Sequence, residues 1–275
     1  MDHMIQALIL GVVQGLTEFL PISSSGHLII VPWLFGWTDP FLDSLAFSVV
    51  LHGGTLVALL VYFRADWLRL IPAGLAALRD RSLANDPDRR LAWLIAASTV
   101  PGAIAGVLLN DVIEKNVRQV GLVAILLVIA GAILWLADRW GPRTHRLEQL
   151  TFRGALGIGL AQALALAPGV SRSGISMSAA LFSGLDRGDA ARYSFLMATP
   201  ITALAVAYEG LKLVRGDVAG IEMAPLVVGV VASFAAGILA IAGLLRYVRT
   251  RSFTVFVGYR VALAVVVLLV FLAPR

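Results

Sequence analysis

Three short stretches of this 275-residue chain carry the side chains that could do chemistry. Gln14 and Glu18 stand four apart in QGLTE, a spacing that puts both on one face of a helix. Glu18 runs on into PISSSGH, residues 21–27, where Ser23, Ser24, Ser25 and His27 lie between two apolar runs. PGVSRSGIS, residues 168–176, adds Ser171, Arg172, Ser173 and Ser176. A carboxylate at membrane depth is costly unless it is paired, hydrated or bound to a cation, so Glu18 is a functional candidate. The guanidinium fork of Arg172 suits bidentate contact with phosphate oxygens. His27 can give or take a proton near neutral pH, or attack phosphorus. Serines that lead into a helix bring hydroxyls and first-turn N–H groups to a helix N-terminus, which favours anions. If the two serine-rich breaks meet, the guest they suit carries phosphate.

Each of these residues also has a purely structural reading. Serine at a break is a common N-cap, and small residues let membrane helices pack closely. Arg172 could pair with Glu18 across the two breaks without further purpose. Among the hydroxyls, Ser24, Ser171 and Ser173 are favoured for a site over Ser23 and Ser178. His52, in VLHGGTL, could face the same cavity, but the two glycines beside it suggest close helix packing. His3 and His145 have little to recommend them.

The elements that must position these residues follow from hydropathy. The chain is 59% hydrophobic and only 14% charged, against about 25% charged for a soluble domain, which makes it an integral membrane protein. It has no cysteine, so thiolate catalysis and disulfides are excluded. The net charge of +5 resides in arginines gathered in short loops, which argues against nucleic acid as a partner. The amino terminus has no basic n-region and reads as retained. Six stretches match the roughly 20 apolar residues of a membrane span: 44–63, 91–109, 119–137, 190–211, 223–245 and 254–273. Residues 4–37 and 152–185 are too long for one span, awkward for two, and broken in the middle by PISSSGH and PGVSRSG. Each is expected to form a re-entrant hairpin of two half-length helices, with irregular backbone buried at membrane depth.

Arginines in 64–90, 138–153 and 246–251 mark those connections as cytoplasmic loops. The connections at 110–118 and 212–222, diluted by Asp111, Glu114, Asp217 and Glu222, fall outside, as do both chain ends. The hairpins then dip in from opposite sides. GVVQGLTEFLPISSSG, residues 11–26, aligns without a gap on GLAQALALAPGVSRSG, residues 159–174, pairing Gly11, Gln14, Ser23, Ser25 and Gly26 with Gly159, Gln162, Ser171, Ser173 and Gly174. The expected architecture is all-α: six transmembrane helices plus two re-entrant hairpins in an inverted-topology repeat. One polytopic domain spans residues 1–275, with repeats at about 1–137 and 152–275.

With these motifs in place, the whole chain resembles the undecaprenyl-diphosphate phosphatase family, the bacterial membrane enzymes also called bacitracin-resistance proteins. Gln14 and Glu18 match its first signature, and Pro168 to Ser176 its second, with Ser176 where the family pattern has threonine. The resemblance implies hydrolysis of undecaprenyl diphosphate to the monophosphate carrier that peptidoglycan synthesis reuses. It implies bacitracin resistance, because the antibiotic sequesters the diphosphate form. It also implies the bacterial inner membrane, a site open to the periplasm, and a divalent cation, Mg2+ or Ca2+, which Glu18 and Gln14 are expected to hold. Arg172 with Ser23, Ser25, Ser171, Ser173 and Ser176 is expected to bind the phosphates. For the nucleophile, Ser24 activated by His27 is the first choice, with direct attack by His27 or by water kept open. The partners expected are the polyprenyl diphosphate and membrane lipids; a homodimer is left open. A secondary transporter or lipid-phosphate flippase would share the repeat and the broken helices. The type-2 phosphatidic-acid phosphatases also carry S-G-H and S-R elements, but they need a second histidine after the S-R element, and this chain has none after Arg172.

Overall fold

The computed structural model describes residues 3–39, 41, 42, 44–83, 86–215 and 222–273. Its helices are α1 His3–Phe19, α2 Ser24–Phe35, α3 Leu45–Tyr62, α4 Arg64–Asp80, α5 Pro87–Asn116, α6 Val120–Trp140, α7 Phe152–Ala163, α8 Arg172–Phe182, α9 Arg187–Arg215, α10 Met223–Tyr247 and α11 Thr254–Leu272. Five of them, α5, α6, α9, α10 and α11, hold stretches long and apolar enough to cross a bilayer, and the count rises to as many as six if the bent pair α3–α4 is taken as one span. The chain is a multi-pass membrane protein.

The two broken regions fold back on themselves. In the first, His3 Nε2 lies 3.2 Å from Asp39 Oδ2, and Gln6 and Leu10 of α1 line a crevice with Pro32 and Trp37 at the far end of α2. In the second, Ser183 just past α8 sits 3.8 Å from where a side chain on Gly154, near the start of α7, would begin. The hairpins open toward opposite ends of the molecule. The open end of α1–α2 adjoins Glu222, whose carboxylate is 2.9 Å from His3 Nδ1. The open end of α7–α8 lies among the arginine-rich connections, where Arg90 donates to the carbonyls of Glu148 and Leu150 and Arg146 pairs with Asp186 at 2.6 Å. Asp138 ties the last connection into that end by pairing with Arg187 at 2.5 Å and accepting the Phe253 N–H at 2.9 Å.

In lipid, helices associate through close packing more than through apolar burial, and the glycines show where. A Cβ at Gly11 would run into the Gly229 carbonyl, and one at Gly15 into the Ser233 carbonyl, so α1 lies hard against α10. Gly159, which the alignment pairs with Gly11, meets the Ser98 carbonyl in the same way, placing α7 against α5. Each hairpin therefore packs on a long helix from the other half of the chain. The largest buried apolar cluster fills the space beneath the first tip, where Phe19 meets Phe195 edge-on at 5.4 Å.

Residues 64–80 depart from the sequence reading, which made 64–90 a basic loop. They form α4, turned 83° from α3. Its apolar residues Leu68, Ile71, Leu75 and Leu78 are all exposed and share one face, while Asp66 and Arg69 lie on another, the pattern of a helix lying in the bilayer interface. Likewise α5 continues to Asn116 and α9 to Arg215, through residues expected to be connections. Residues 216–221 of the second connection, including Asp217, are outside the described residues.

Candidate active site

Both hairpin tips are built alike. α1 stops at Phe19, two residues before Pro21, which lacks an N–H and restricts the residue ahead of it. Ser23 then adopts a left-handed φ of 77° and caps α2 by accepting the Gly26 N–H at 3.3 Å. Ser171 does the same for α8, with φ 73° and the Gly174 N–H at 3.1 Å. A serine at positive φ is strained by about 1–3 kcal/mol and persists only where its surroundings enforce it. Here the surroundings are the other tip. The Gly169 N–H, on a residue whose φ is 99°, donates to Ser23 Oγ at 3.1 Å. Ser173 Oγ donates to the Leu20 carbonyl at 3.1 Å. The N-termini of α2 and α8 thus come together inside the protein, as PISSSGH and PGVSRSG led us to expect.

Glu18 and Arg172 meet at this junction. Arg172 Nη2 donates to Glu18 Oε1, and Arg172 Nη1 donates to Thr202 Oγ1. Around Glu18 Oε2 are Ser24 Oγ at 2.5 Å, Gln14 Nε2 at 3.1 Å and His52 Nε2 at 3.3 Å. Gln14 Oε1 is buried without a partner. Oxygen donors of this kind, one carboxylate with a neutral carbonyl and a hydroxyl, are the chemistry that Mg2+ and Ca2+ prefer. The cluster is not sealed: the Glu18 side chain is 3% exposed, but Arg172 and His52 are 19% and 22% exposed.

The remaining expectations sort by geometry. His27 makes its described hydrogen bonds away from the Ser24 hydroxyl. Its Nδ1 faces the Ser23 carbonyl at 2.7 Å and its Nε2 the Tyr259 hydroxyl at 2.7 Å, with the two rings stacked. A carbonyl only accepts, so Nδ1 carries a proton toward Ser23, while Nε2 shares a hydrogen bond with the tyrosine hydroxyl. The hydroxyl nearest a base is Ser24, and that base is Glu18. Ser176 is fully buried, donating to the Arg172 carbonyl at 2.6 Å and contacting Ser194 Oγ at 2.6 Å, so it faces α9 and not the junction. Ser171 and Ser173 lie 3.2 Å apart, and Ser25 is 3.4 Å from Ser23. Ser23, Ser171 and Ser173 all spend a hydroxyl on holding the tips.

Four residues at the junction escaped the sequence reading or were set aside by it. His52 reaches Glu18, while the packing that its neighbours suggested falls to Gly54, whose Cβ would strike the Val230 carbonyl of α10. Thr202 and Tyr259 carry no signal in one sequence. Arg260 does, being a guanidinium in the middle of the apolar run 254–273. It is completely buried. Its Nε donates to the Leu127 carbonyl at 2.9 Å, Nη1 to Pro21 at 3.2 Å, and Nη2 to Gly169 at 2.8 Å and Val170 at 3.1 Å. One side chain thus ties both tips to α6.

Fold and site together define a class: a multi-pass membrane protein with a buried carboxylate–guanidinium–hydroxyl cluster where two broken helical hairpins meet. The family profile described as bacitracin resistance protein BacA matches residues 7–266, and the chain belongs to that family. It is 48% identical over 262 residues to the undecaprenyl-diphosphatase of Gemmatimonas aurantiaca, covering 95% of this chain and 96% of that protein. It is 49% identical over 261 residues to the undecaprenyl-diphosphatase of Geobacter sulfurreducens, covering 94% and 95%. With that of Desulforudis audaxviator the identity is 45% over 265 residues, covering 96% and 97%.

Proposed function

We propose that this chain is an undecaprenyl-diphosphatase, releasing inorganic phosphate from undecaprenyl diphosphate and returning the monophosphate carrier to peptidoglycan synthesis, with bacitracin resistance as a consequence. The observation that carries this reading is Ser24 Oγ, 2.5 Å from a carboxylate that is itself paired with Arg172, at the convergent N-termini of two helices. The arriving diphosphate competes with Glu18 for the Arg172 guanidinium, since carboxylate and phosphate each offer a pair of oxygens to its fork. As Arg172 turns to phosphate, Glu18 becomes free to take the proton of Ser24. Ser24 Oγ then bonds to the terminal phosphorus, the bond from that phosphorus to the bridging oxygen breaks, and undecaprenyl phosphate departs. Glu18 passes the Ser24 proton to the departing undecaprenyl phosphate; water then attacks the phosphoseryl group and gives a proton to the Glu18 carboxylate, which returns it to Ser24 Oγ as the Oγ–P bond breaks and inorganic phosphate leaves. Arg172 and the N–H groups opening α2 and α8 stabilise the charge on the transferring group.

Glu18 and Gln14 suit a divalent cation, Mg2+ or Ca2+, which when bound neutralises charge on the diphosphate. His27, held between Ser23 and Tyr259, positions the first tip. The arginine-rich end lies in the cytoplasm of a bacterial cell by the positive-inside rule, with the lipid tail left in the bilayer and the diphosphate reached from the periplasmic side. The test is phosphate release by purified protein in detergent, where no second compartment exists. Turnover of undecaprenyl diphosphate that a chelator abolishes is expected. No release of phosphate would leave the transporter reading in its place, and release unaffected by chelator would remove the cation.

A further inference from the structure

The arginine-rich end holds a cavity of about 660 Å³ that the reaction above does not use. It lies where the end of α3, the connection before α7, the start of α9 and the end of α10 converge, and shares no lining residue with the hairpin tips. Gly237 of α10 abuts Phe19 beneath the first tip, and the helix runs on to Tyr247, about 15 Å farther at 1.5 Å per residue, before the cavity's Val248 and Arg249.

Its charge is unbalanced. Five arginines, Arg143, Arg146, Arg187, Arg192 and Arg249, face three aspartates, Asp66, Asp186 and Asp189. Arg146 pairs with Asp186 at 2.6 Å, Arg192 with Asp66 at 2.6 Å, and Arg187 with Asp138 at 2.5 Å. Asp189 accepts the Leu147 N–H at 2.9 Å. That leaves Arg143 and Arg249 with no hydrogen bond or ion pair among the described residues, and the buried Nε of Arg192 has no partner either. Arg143 is held at a left-handed φ of 52°, a backbone state that glycine or asparagine would adopt more easily. The rest of the lining includes the apolar side chains of Tyr62, Phe63, Leu245 and Val248. Free guanidinium forks in a cavity that also has apolar lining, at the arginine-rich end of a membrane protein, match a phosphate group, alone or carried on a lipid.

We infer that this cavity is a second anion site, which takes a phosphate group through Arg143, Arg249 and the free Nε of Arg192. The phosphate comes either from solution or from the headgroup of an anionic lipid in the adjoining leaflet. The test compares wild type with the double variant R143Q/R249Q, using full-length protein. Unchanged phosphatase activity of the variant in detergent serves as the check that it folds. In one arm, the melting temperature in neutral detergent is titrated with inorganic phosphate; in the other, retention of phosphatidylglycerol is measured by native mass spectrometry after transfer from nanodiscs, with phosphatidylcholine as reference. Loss of two charge-assisted contacts is expected to weaken binding by about ten-fold or more. A loss confined to the first arm identifies free phosphate, and a loss in the second identifies the headgroup. The inference is overturned if wild type responds in neither arm or the variant responds equally. It is also overturned if R139Q/R246Q, which removes exposed arginines outside the cavity, weakens binding as much.

Discussion

Glu18 occupies the last turn of α1, where the helix dipole disfavours an anion, and it is nearly buried. Its donors Arg172, Ser24 and Gln14, with His52 Nε2 beside them, make a carboxylate tenable there and tie it to one orientation facing Ser24. Glu18→Gln and Ser24→Ala are therefore expected to lower kcat by at least about a thousand-fold, in line with the loss of a nucleophile or its base. Arg172→Lys should cost about 10²–10³ in kcat, because an ammonium cannot bridge two oxygens as the fork does; phosphate release measures both. If the reaction is quenched in acid during turnover, label from the terminal phosphate is expected on Ser24. Label mapped to His27 would overturn the assignment drawn from its hydrogen bonds. Glu18, Ser24 and Arg172 were legible because charged and hydroxylic side chains inside apolar sequence demand a reason. The Ser24–Glu18 pairing was not, since it depends on how the first tip turns, and neither was the contact of His27 with Tyr259, 232 positions away.

The helical elements hold the tips by close approach and by one cation. Replacing Gly11 with leucine forces a side chain into the α10 backbone and should destabilise the protein by about 1–3 kcal/mol or more, read as a lower melting temperature in detergent. Gly157→Leu, with open space around it, should leave that temperature nearly unchanged. Arg260→Met removes the donor shared by Leu127, Pro21, Gly169 and Val170. Each carbonyl left unpaired costs about 1–3 kcal/mol, so both melting temperature and turnover should fall; full activity in this variant would show that the tips hold themselves. The hairpins could be read from sequence because proline and serine interrupt hydropathy at half a span. α4 could not be read by counting arginines, since its apolar face appears only when Leu68, Ile71, Leu75 and Leu78 are placed on a helix.

At the scale of the whole molecule, arginines gather at one end while His3, Asp39 and Glu222 mark the other. The absence of cysteine makes orientation directly measurable. Glu222→Cys should react with a membrane-impermeant thiol reagent on intact cells, and Arg246→Cys only after permeabilisation; the reverse pattern would invert the protein in the membrane. The motif alignment revealed that the tips are alike, but not that each hairpin packs on the other half of the chain, α1 on α10 and α7 on α5, because a single sequence carries no partner information for Gly11 or Gly159. That crossing is what brings Glu18 and Arg172, 154 positions apart, to one carboxylate–guanidinium pair. A double-mutant cycle on kcat/KM with undecaprenyl diphosphate, using Glu18→Ala, Arg172→Ala and both together, tests this meeting most directly. Residues that act as one unit are strongly non-additive, so the double variant should be no worse than the poorer single variant by more than about ten-fold; losses that multiply, or full activity in either single variant, would contradict a shared site.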